Sequence, residues 1–162
     1  MSSDPLAHTL AGERDVLTSF LASVQNALAR KASGLSDTDA RRTMTPSGLS
    51  ISGLIKHGAY VQASWVEYFF AGRLATELPL DTDEFVAAPD ETIEVLLDRY
   101  RGEVARVRMI VERHSLDELN QSDRPGTVTL RWIVVHMIEE LARHTGHADI
   151  LREEIDGATG YP

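Results

Sequence analysis

The feature that most constrains how this chain folds is the stretch 130–155, LRWIVVHMIEELARHTGHADILREEI. Its apolar residues recur with the period of an α-helix, about 3.6 residues per turn, and therefore fall on one broad face. This face comprises Leu130, Ile133, Met137, Leu141, Ala148 and Leu151. A helix with such a face buries it against other elements, so the stretch predicts one long helix that packs on the core.

Two groups that resist burial, Glu140 and His144, lie inside the same apolar arc, one helical turn apart. Burying an unpaired carboxylate is costly, so Glu140 must be paired, protonated or bound to a cation. A glutamate and a histidine at positions i and i+4 bring their donor atoms to a common point, which suits a metal ion. We therefore expect a metal site whose third ligand comes from another helix.

His57 is the candidate third ligand. After Ser50, a good N-cap, the sequence predicts a second helix to about residue 72, and His57 lies on its apolar face. The same face carries Leu54, Val61, Trp65 and Tyr68. A histidine on such a face is by itself more often a hydrogen-bonded core residue, but one ion would satisfy His57, Glu140 and His144 together. Two imidazoles and a carboxylate are typical of zinc sites with an open position, and nickel, iron or manganese can use the same donors.

The remaining periodicities complete an all-α fold. Helices are predicted over residues 12–31 and 89–114, with a short helical turn beginning at Ser36, and Thr129 and Gly157 are expected to bound the last helix. Residues 73–88 are expected to form a surface connector that could cover one end of the bundle. Four helices of similar length predict a four-helix bundle, with residues 1–162 as a single domain.

Most other residues of these elements are expected to have structural roles. Gly53 and Gly58 are expected to allow close helix packing. Arg41 and Arg42 are expected to be solvated, and a minority hypothesis places one of them at the mouth of a site. The charged residues of the third helix are expected on its solvated side, and they include Glu91, Glu103 and Arg106.

Composition narrows the function classes. The net charge of -9 argues against nucleic acid and anionic membranes as partners, because both require clustered Lys and Arg. The chain has no cysteine, which excludes disulfides, thiolate metal ligands and a cysteine nucleophile, so any thiol in its chemistry comes from a ligand. The N-terminus lacks a basic start followed by an apolar run, and no stretch is apolar enough to span a bilayer, so we expect a cytoplasmic protein.

Two segments together, GLIKH in the second helix and WIVVHMIEELARHTGHADILREEIDG in the fourth, resemble the DinB/YfiT-like superfamily of metal-binding four-helix bundles. The likeness is greatest to the branch that includes mycothiol-dependent maleylpyruvate isomerase. Many superfamily members place a histidine where Glu140 stands, whereas this branch is similar to the present chain in using His, Glu and His. The resemblance implies a divalent metal, usually zinc, and a low-molecular-weight thiol cosubstrate such as mycothiol or bacillithiol, which loses its proton readily when it binds the metal.

The other histidines are weaker candidates. His136 and His147 lie at the edge of the arc that carries Glu140, where each could orient a ligand or act as a general acid or base. The alternative, that both are partly exposed boundary residues, stays open. His8 and His114 are expected on the surface. Arg143 and Asp149, which flank the motif, are expected to form ion pairs on the helix surface.

Three functions follow as hypotheses. The first is a metal-dependent enzyme that transfers or rearranges adducts of a small thiol on a small-molecule substrate. The second is a metal-dependent hydrolase with a metal-bound hydroxide, in which His136 or His147 carries protons. The third is a non-enzymatic metal-binding or stress-response bundle, in which Glu140 and His144 pair only with each other.

Apolar residues on two faces of the last helix predict a partner. Those away from the metal-facing arc are Trp132, Val135, Ile138 and Ile150. A homodimer is the simplest way to cover them, and the alternative is that the third helix covers both faces within one chain.

Overall fold

A computed structural model describes residues 12–74, 76, 83–123 and 125–159 of the chain. The helices are α1 (Glu13–Ala32), α2 (Asp37–Ala40), α3 (Ile51–Gln62), α4 (Ile93–Arg113) and α5 (Leu130–Asp156), and a π-helix (Ala63–Phe70) continues α3 directly. In these residues the only β-type pairing is an isolated bridge between Leu119 and Thr129. The predicted all-α four-helix bundle is confirmed, with α1, α3 and its π-helix, α4 and α5 as its long members.

The predicted apolar face of α5 forms the centre of the bundle. Its six residues, from Leu130 to Leu151, are each at most 3% exposed. Burial of each large apolar side chain contributes roughly 1.5–3 kcal/mol, so this face holds the helix in one rotational setting. That setting turns Glu140 and His144 toward α3, which packs against α5.

Helix ends follow the predicted capping residues with one exception. The Ser50 hydroxyl accepts a hydrogen bond from the backbone N–H of Gly53 at 3.1 Å, and α5 begins after Thr129 and ends at Gly157 with a φ of 75°. Helix α4 begins later than predicted, after Thr92 rather than at residue 89. The reason is that residues 88–91 form a turn, in which the N–H of Glu91 donates to the carbonyl of Ala88 at 3.0 Å.

The predicted close helix packing is confirmed at Gly58 but not at Gly53. A Cβ on Gly58 would lie 2.8 Å from the ring of Tyr100 in α4 and 3.1 Å from Leu28 in α1. The Tyr100 ring is fully buried, and its hydroxyl donates to the carbonyl of Gln25 at 3.1 Å. At Gly53 the close neighbour is not a helix but the carbonyl of Phe85, in the connector before α4.

The second predicted helix does reach the expected length, but it changes its hydrogen bonding at Ala63. The N–H of Ala71, for example, donates to the carbonyl five residues earlier, that of Val66, at 3.0 Å. The added residue per turn rotates the side chains that follow. As a result Glu67 is buried, whereas Trp65 and Tyr68, which the periodicity places on the buried face, are only half-buried.

The predicted exposure of several charged residues is wrong. Glu103 of α4 is 1% exposed because Arg106, one turn later, donates to it, with Nε 3.0 Å from Oε2. The same Nε lies 3.2 Å from Oε1 of Glu67, and Arg73 pairs with the other oxygen of Glu67. Burial and the neighbouring Glu103 raise the pKa of Glu67. Burial also acts to raise the pKa of Glu103, but hydrogen bonds with Arg106 and Glu67 and the charges of Arg106 and Arg73 outweigh it and hold that pKa below its ordinary value.

The two arginines after α2 differ. Arg42 is exposed as predicted, but Arg41 is partly buried because its guanidinium donates to backbone carbonyls of the connector before α4. None of the helices in the described part of the chain has an apolar run of the length that a bilayer span requires.

Candidate metal centre

Three side chains from two helices meet between α3 and α5. Nε2 of His144 lies 3.0 Å from Oε1 of Glu140, and Nε2 of His57 lies 3.4 Å from the same oxygen. One donor atom from each residue falls within 4.8 Å of the others. The structure thus brings together the three residues that the sequence predicted as metal ligands.

Each helix contributes to this convergence in a different way. In α5 the i, i+4 spacing places Glu140 directly below His144 on one face. In α3 the turn that carries His57 faces them across the helix contact. His57 and His144 are 5% and 7% exposed, and the Glu140 side chain is 16% exposed, so the cluster is largely withdrawn from solvent.

The protonation states suit metal binding. Burial acts to raise the pKa of Glu140, but hydrogen bonds with His144 and His57 and the charge of Arg143 outweigh it, so the pKa lies below its ordinary value. Burial lowers the pKa of His144, against an opposing hydrogen bond to Glu140. At neutral pH the pair is therefore a carboxylate and a neutral imidazole, the forms that coordinate a cation.

Two of the donor spacings are close to those around a divalent ion. A tetrahedral zinc ion holds its nitrogen and oxygen ligands at about 2.0–2.2 Å, which places neighbouring donors roughly 3.4 Å apart. The two distances to Oε1 of Glu140, 3.0 and 3.4 Å, are close to that value. The other oxygen of Glu140 accepts from Nη1 of Arg143 at 3.0 Å, which leaves Oε1 directed at the two imidazoles.

The connector before α4 closes one side of the cluster, in agreement with its predicted position over one end of the bundle. The Phe85 ring stacks on that of His57, with centroids 3.9 Å apart and planes at 18°, and meets the His144 ring edge-on at 5.8 Å. Oε2 of Glu84 lies 3.1 Å from Nδ1 of His57. Residues 75 and 77–82 of the predicted connector lie outside the described part of the chain.

Sequence reasoning did not single out Glu84 or Phe85. Both lie in an irregular segment, which has no repeating pattern from which the buried side chains could be predicted. An aromatic residue beside an acidic one in a polar connector is the one available signal, and it is too common to identify a site.

The two candidate proton carriers are placed differently. His136 packs between Trp65 and Trp132, with ring centroids 4.6 and 5.1 Å away, and its Nδ1 lies 3.5 Å from a carboxylate oxygen of Glu139. His147 is exposed, and its ring centroid lies 5.7 Å from that of the buried His144. Neither residue belongs to the convergent group of three.

The remaining flanking residues are structural. Arg143 pairs with Glu139 and Glu140 along α5, as expected. Asp149 pairs with Lys31 of α1 at 2.6 Å, so its ion pair joins two helices.

Two further histidines, His8 and His114, were predicted on the surface. His114 is half-buried rather than exposed, because it bonds to Glu118 at 3.0 Å and packs against Phe70. His8 lies outside the described residues.

Comparisons with known proteins identify a matching family and a similar fold. The sequence model of a family described as mycothiol-S-transferase matches residues 16–157. No curated protein matches the chain. The crystal structure of a conserved protein from Enterococcus faecalis has a TM-score of 0.61 to this chain at 19% identity, and the alignment covers 90% of this chain and 98% of that one. That likeness concerns the fold alone.

Proposed function

The chain belongs to the mycothiol-S-transferase family, and on this premise we propose that it is an enzyme that joins a low-molecular-weight thiol, through its sulfur, to a small electrophilic substrate. In this proposal His57, Glu140 and His144 hold a divalent cation, and their ligand types suit zinc best. The observation that carries it is the convergence of both Nε2 atoms on one oxygen of Glu140. The family match agrees with the resemblance drawn from the sequence.

The side chains around the site have separate tasks. Three protein ligands would leave one coordination position of a tetrahedral cation open. A thiol or water bound to the cation in that position would have a lowered pKa. Arg143 holds the outer oxygen of Glu140, so the inner oxygen faces the imidazoles. The stacked ring of Phe85 keeps water from one face of His57.

We propose His147 rather than His136 as the residue that moves protons at this site. The exposed His147 ring lies beside His144, so it can exchange protons with solvent next to the reacting groups. His136 is packed between two tryptophan rings, which leaves its side chain 23% exposed. Its place in that cluster suits a packing role.

Metal content tests the site directly. We expect protein purified without added metal to contain stoichiometric divalent metal, and the variant His144→Ala to lose it while retaining its helicity by circular dichroism. His114→Ala, which removes an imidazole from outside the cluster, is the matched control and should keep its metal. Full occupancy in His144→Ala would refute the proposed ligand set.

Thermal unfolding gives a second measure of the same site. A ligand that binds only the native state at a concentration of about 100 times its Kd stabilises by about 2.7 kcal/mol, so zinc should raise the melting temperature of the metal-free wild type. It should not raise that of His144→Ala. Metal-free protein that zinc does not stabilise would favour the non-enzymatic bundle.

Activity separates the two enzymatic hypotheses. We expect metal-loaded protein to conjugate mycothiol or bacillithiol to an alkylating chromophore, and to lose this activity in His144→Ala. Turnover of ester or amide substrates in the absence of any thiol would instead favour the hydrolase.

A further inference from the structure

The connector segment 84–91, here called the strap, is held against the rest of the bundle by two positively charged side chains that are buried or partly buried. Arg41 donates to four strap carbonyls, those of Ala87 at 2.9 Å, Ala88 at 2.7 Å, Pro89 at 3.4 Å and Glu91 at 2.6 Å. Lys56, which neighbours His57 in α3, donates to the carbonyl of Val86 at 2.8 Å and pairs with the Glu91 carboxylate at 3.1 Å. Charged donors on backbone carbonyls are among the stronger hydrogen bonds, so the strap has a defined position.

The strap also lies directly on the backbone of α3. The carbonyl oxygen of Phe85 occupies the space that a Cβ on Gly53 would fill. Gly53 is one helical turn before His57, so this close approach places Glu84 and Phe85 over the His57 ring.

Glu84 and His57 each present a buried atom that needs the other. Oε2 of Glu84 and Nδ1 of His57 lie 3.1 Å apart, and neither atom has an aligned hydrogen-bond partner elsewhere. Active-site hydrogen bonds are often poorly aligned before a ligand binds and tighten when it does. The stacked Phe85 ring fixes the plane of the His57 imidazole but not its rotation within that plane. A hydrogen bond at Nδ1 fixes that rotation.

We propose that Glu84 is the positioning residue of the metal centre. With a cation bound, the Glu84 carboxylate would accept the Nδ1–H of His57, which fixes the tautomer that leaves the Nε2 lone pair free to face the cation between His57 and Glu140. This inference rests on the proposed metal site. The two nitrogens of an imidazole point away from each other, so Glu84 cannot itself join an ion bound at Nε2.

The test is the zinc affinity of the full chain, measured by competition with a chromophoric chelator. Glu84→Ala should weaken zinc binding by about 10–100-fold, the usual effect of losing such a partner. Glu84→Gln keeps an oxygen that can accept the Nδ1–H and should retain most of the affinity. Asp90→Ala removes the same charge from an exposed position of the same strap and should bind zinc as the wild type does.

Two further readouts separate positioning from a loss of folding. The metal-free variants Glu84→Ala and Asp90→Ala should have similar melting temperatures. The visible absorption of the cobalt(II) form should change in Glu84→Ala and not in Asp90→Ala, because only the first alters the geometry of a ligand.

The outcomes distinguish the role proposed for Glu84 from the proposed metal site on which it rests. Wild-type protein that binds no zinc would overturn the metal site and this role of Glu84 together. Wild-type binding with an unchanged affinity in Glu84→Ala overturns the positioning role alone. So does an equal loss in Glu84→Gln or Asp90→Ala, since charge rather than the accepted hydrogen bond would then account for the effect.

Discussion

Glu91 shows how one side chain organises the strap beside the candidate metal centre. Its carboxylate accepts from the N–H of Ala88 at 2.8 Å and from Arg99 at 2.9 Å, and it pairs with Lys56. Burial acts to raise the pKa of Glu91, but these three partners outweigh it and hold the pKa below its ordinary value of 4.5. The ionised form therefore stabilises the folded chain.

We expect Glu91→Gln to lower the free energy of unfolding by roughly 1–3 kcal/mol near neutral pH, because it weakens charge-assisted hydrogen bonds. A depressed folded-state pKa contributes stability that is present above the unfolded pKa and is lost as the pH falls through the folded value. The gap between wild type and variant should consequently shrink below pH 4.5. Urea unfolding across this range measures it.

Glu94→Gln, at an exposed position in the first turn of α4, is the control for that experiment and should show no such gap. A gap for Glu91→Gln that persisted unchanged in acid would contradict the assigned role of its charge.

At the scale of elements, the contact of α3 with α4 depends on the absence of a side chain at Gly58. Tyr100 cannot retreat readily from an added methyl group, because its ring is buried and its hydroxyl is bonded to Gln25 of α1. The added carbon would also meet Leu28. Gly146, in contrast, lies in α5 where an added methyl carbon would have no neighbour within 4 Å among the described residues.

These surroundings predict opposite effects for the same substitution. Gly58→Ala should lower the free energy of unfolding by about 1–2 kcal/mol, because the overpacking cost exceeds the gain in helix propensity. Gly146→Ala should raise it by about 0.5–1 kcal/mol through propensity alone. Urea unfolding of the two variants decides the matter, and stabilisation by Gly58→Ala would mean that the helices are not in close contact there.

Gly53 carries the corresponding prediction for the strap. Gly53→Ala forces the carbonyl of Phe85 away from α3, and Glu84 and Phe85 move with it. We expect weaker zinc binding in chelator competition, although no side chain of the site has been altered, with Gly146→Ala as the control. Wild-type affinity in Gly53→Ala would show that the strap does not set the geometry of His57.

At the scale of the whole molecule, the predicted homodimer remains a prediction. The outer face of α5 exposes Trp132, Val135 and Ile150 at 46%, 50% and 64%. Covering such a face against a second copy would remove its apolar surface from water, which is the usual basis of a symmetric dimer.

We expect the wild type to sediment at twice the chain mass and the double variant Val135→Glu, Ile150→Glu to sediment as a monomer with its zinc affinity unchanged. Glu154→Gln, also exposed on α5, is the control and should remain a dimer. A wild type that is monomeric at micromolar concentrations would contradict the predicted homodimer.

The sequence by itself determined the features that repeat regularly. Helical periodicity depends only on local geometry, so it predicted the buried face of α5, the caps at Ser50 and Thr129, and the placement of Glu140 beside His144. It also indicated His57 as a third donor, since a buried histidine and a buried carboxylate each need a partner.

Only the tertiary structure decided what depends on contacts between distant segments. The strap reaches His57 through the space left by Gly53 and is held by Arg41, which the sequence predicts in solvent. The π-helix turned Glu67 inward to meet Arg106 and the buried Glu103. No local pattern predicts these contacts, because a loop side chain or a charged residue is buried only where another part of the chain supplies its partner.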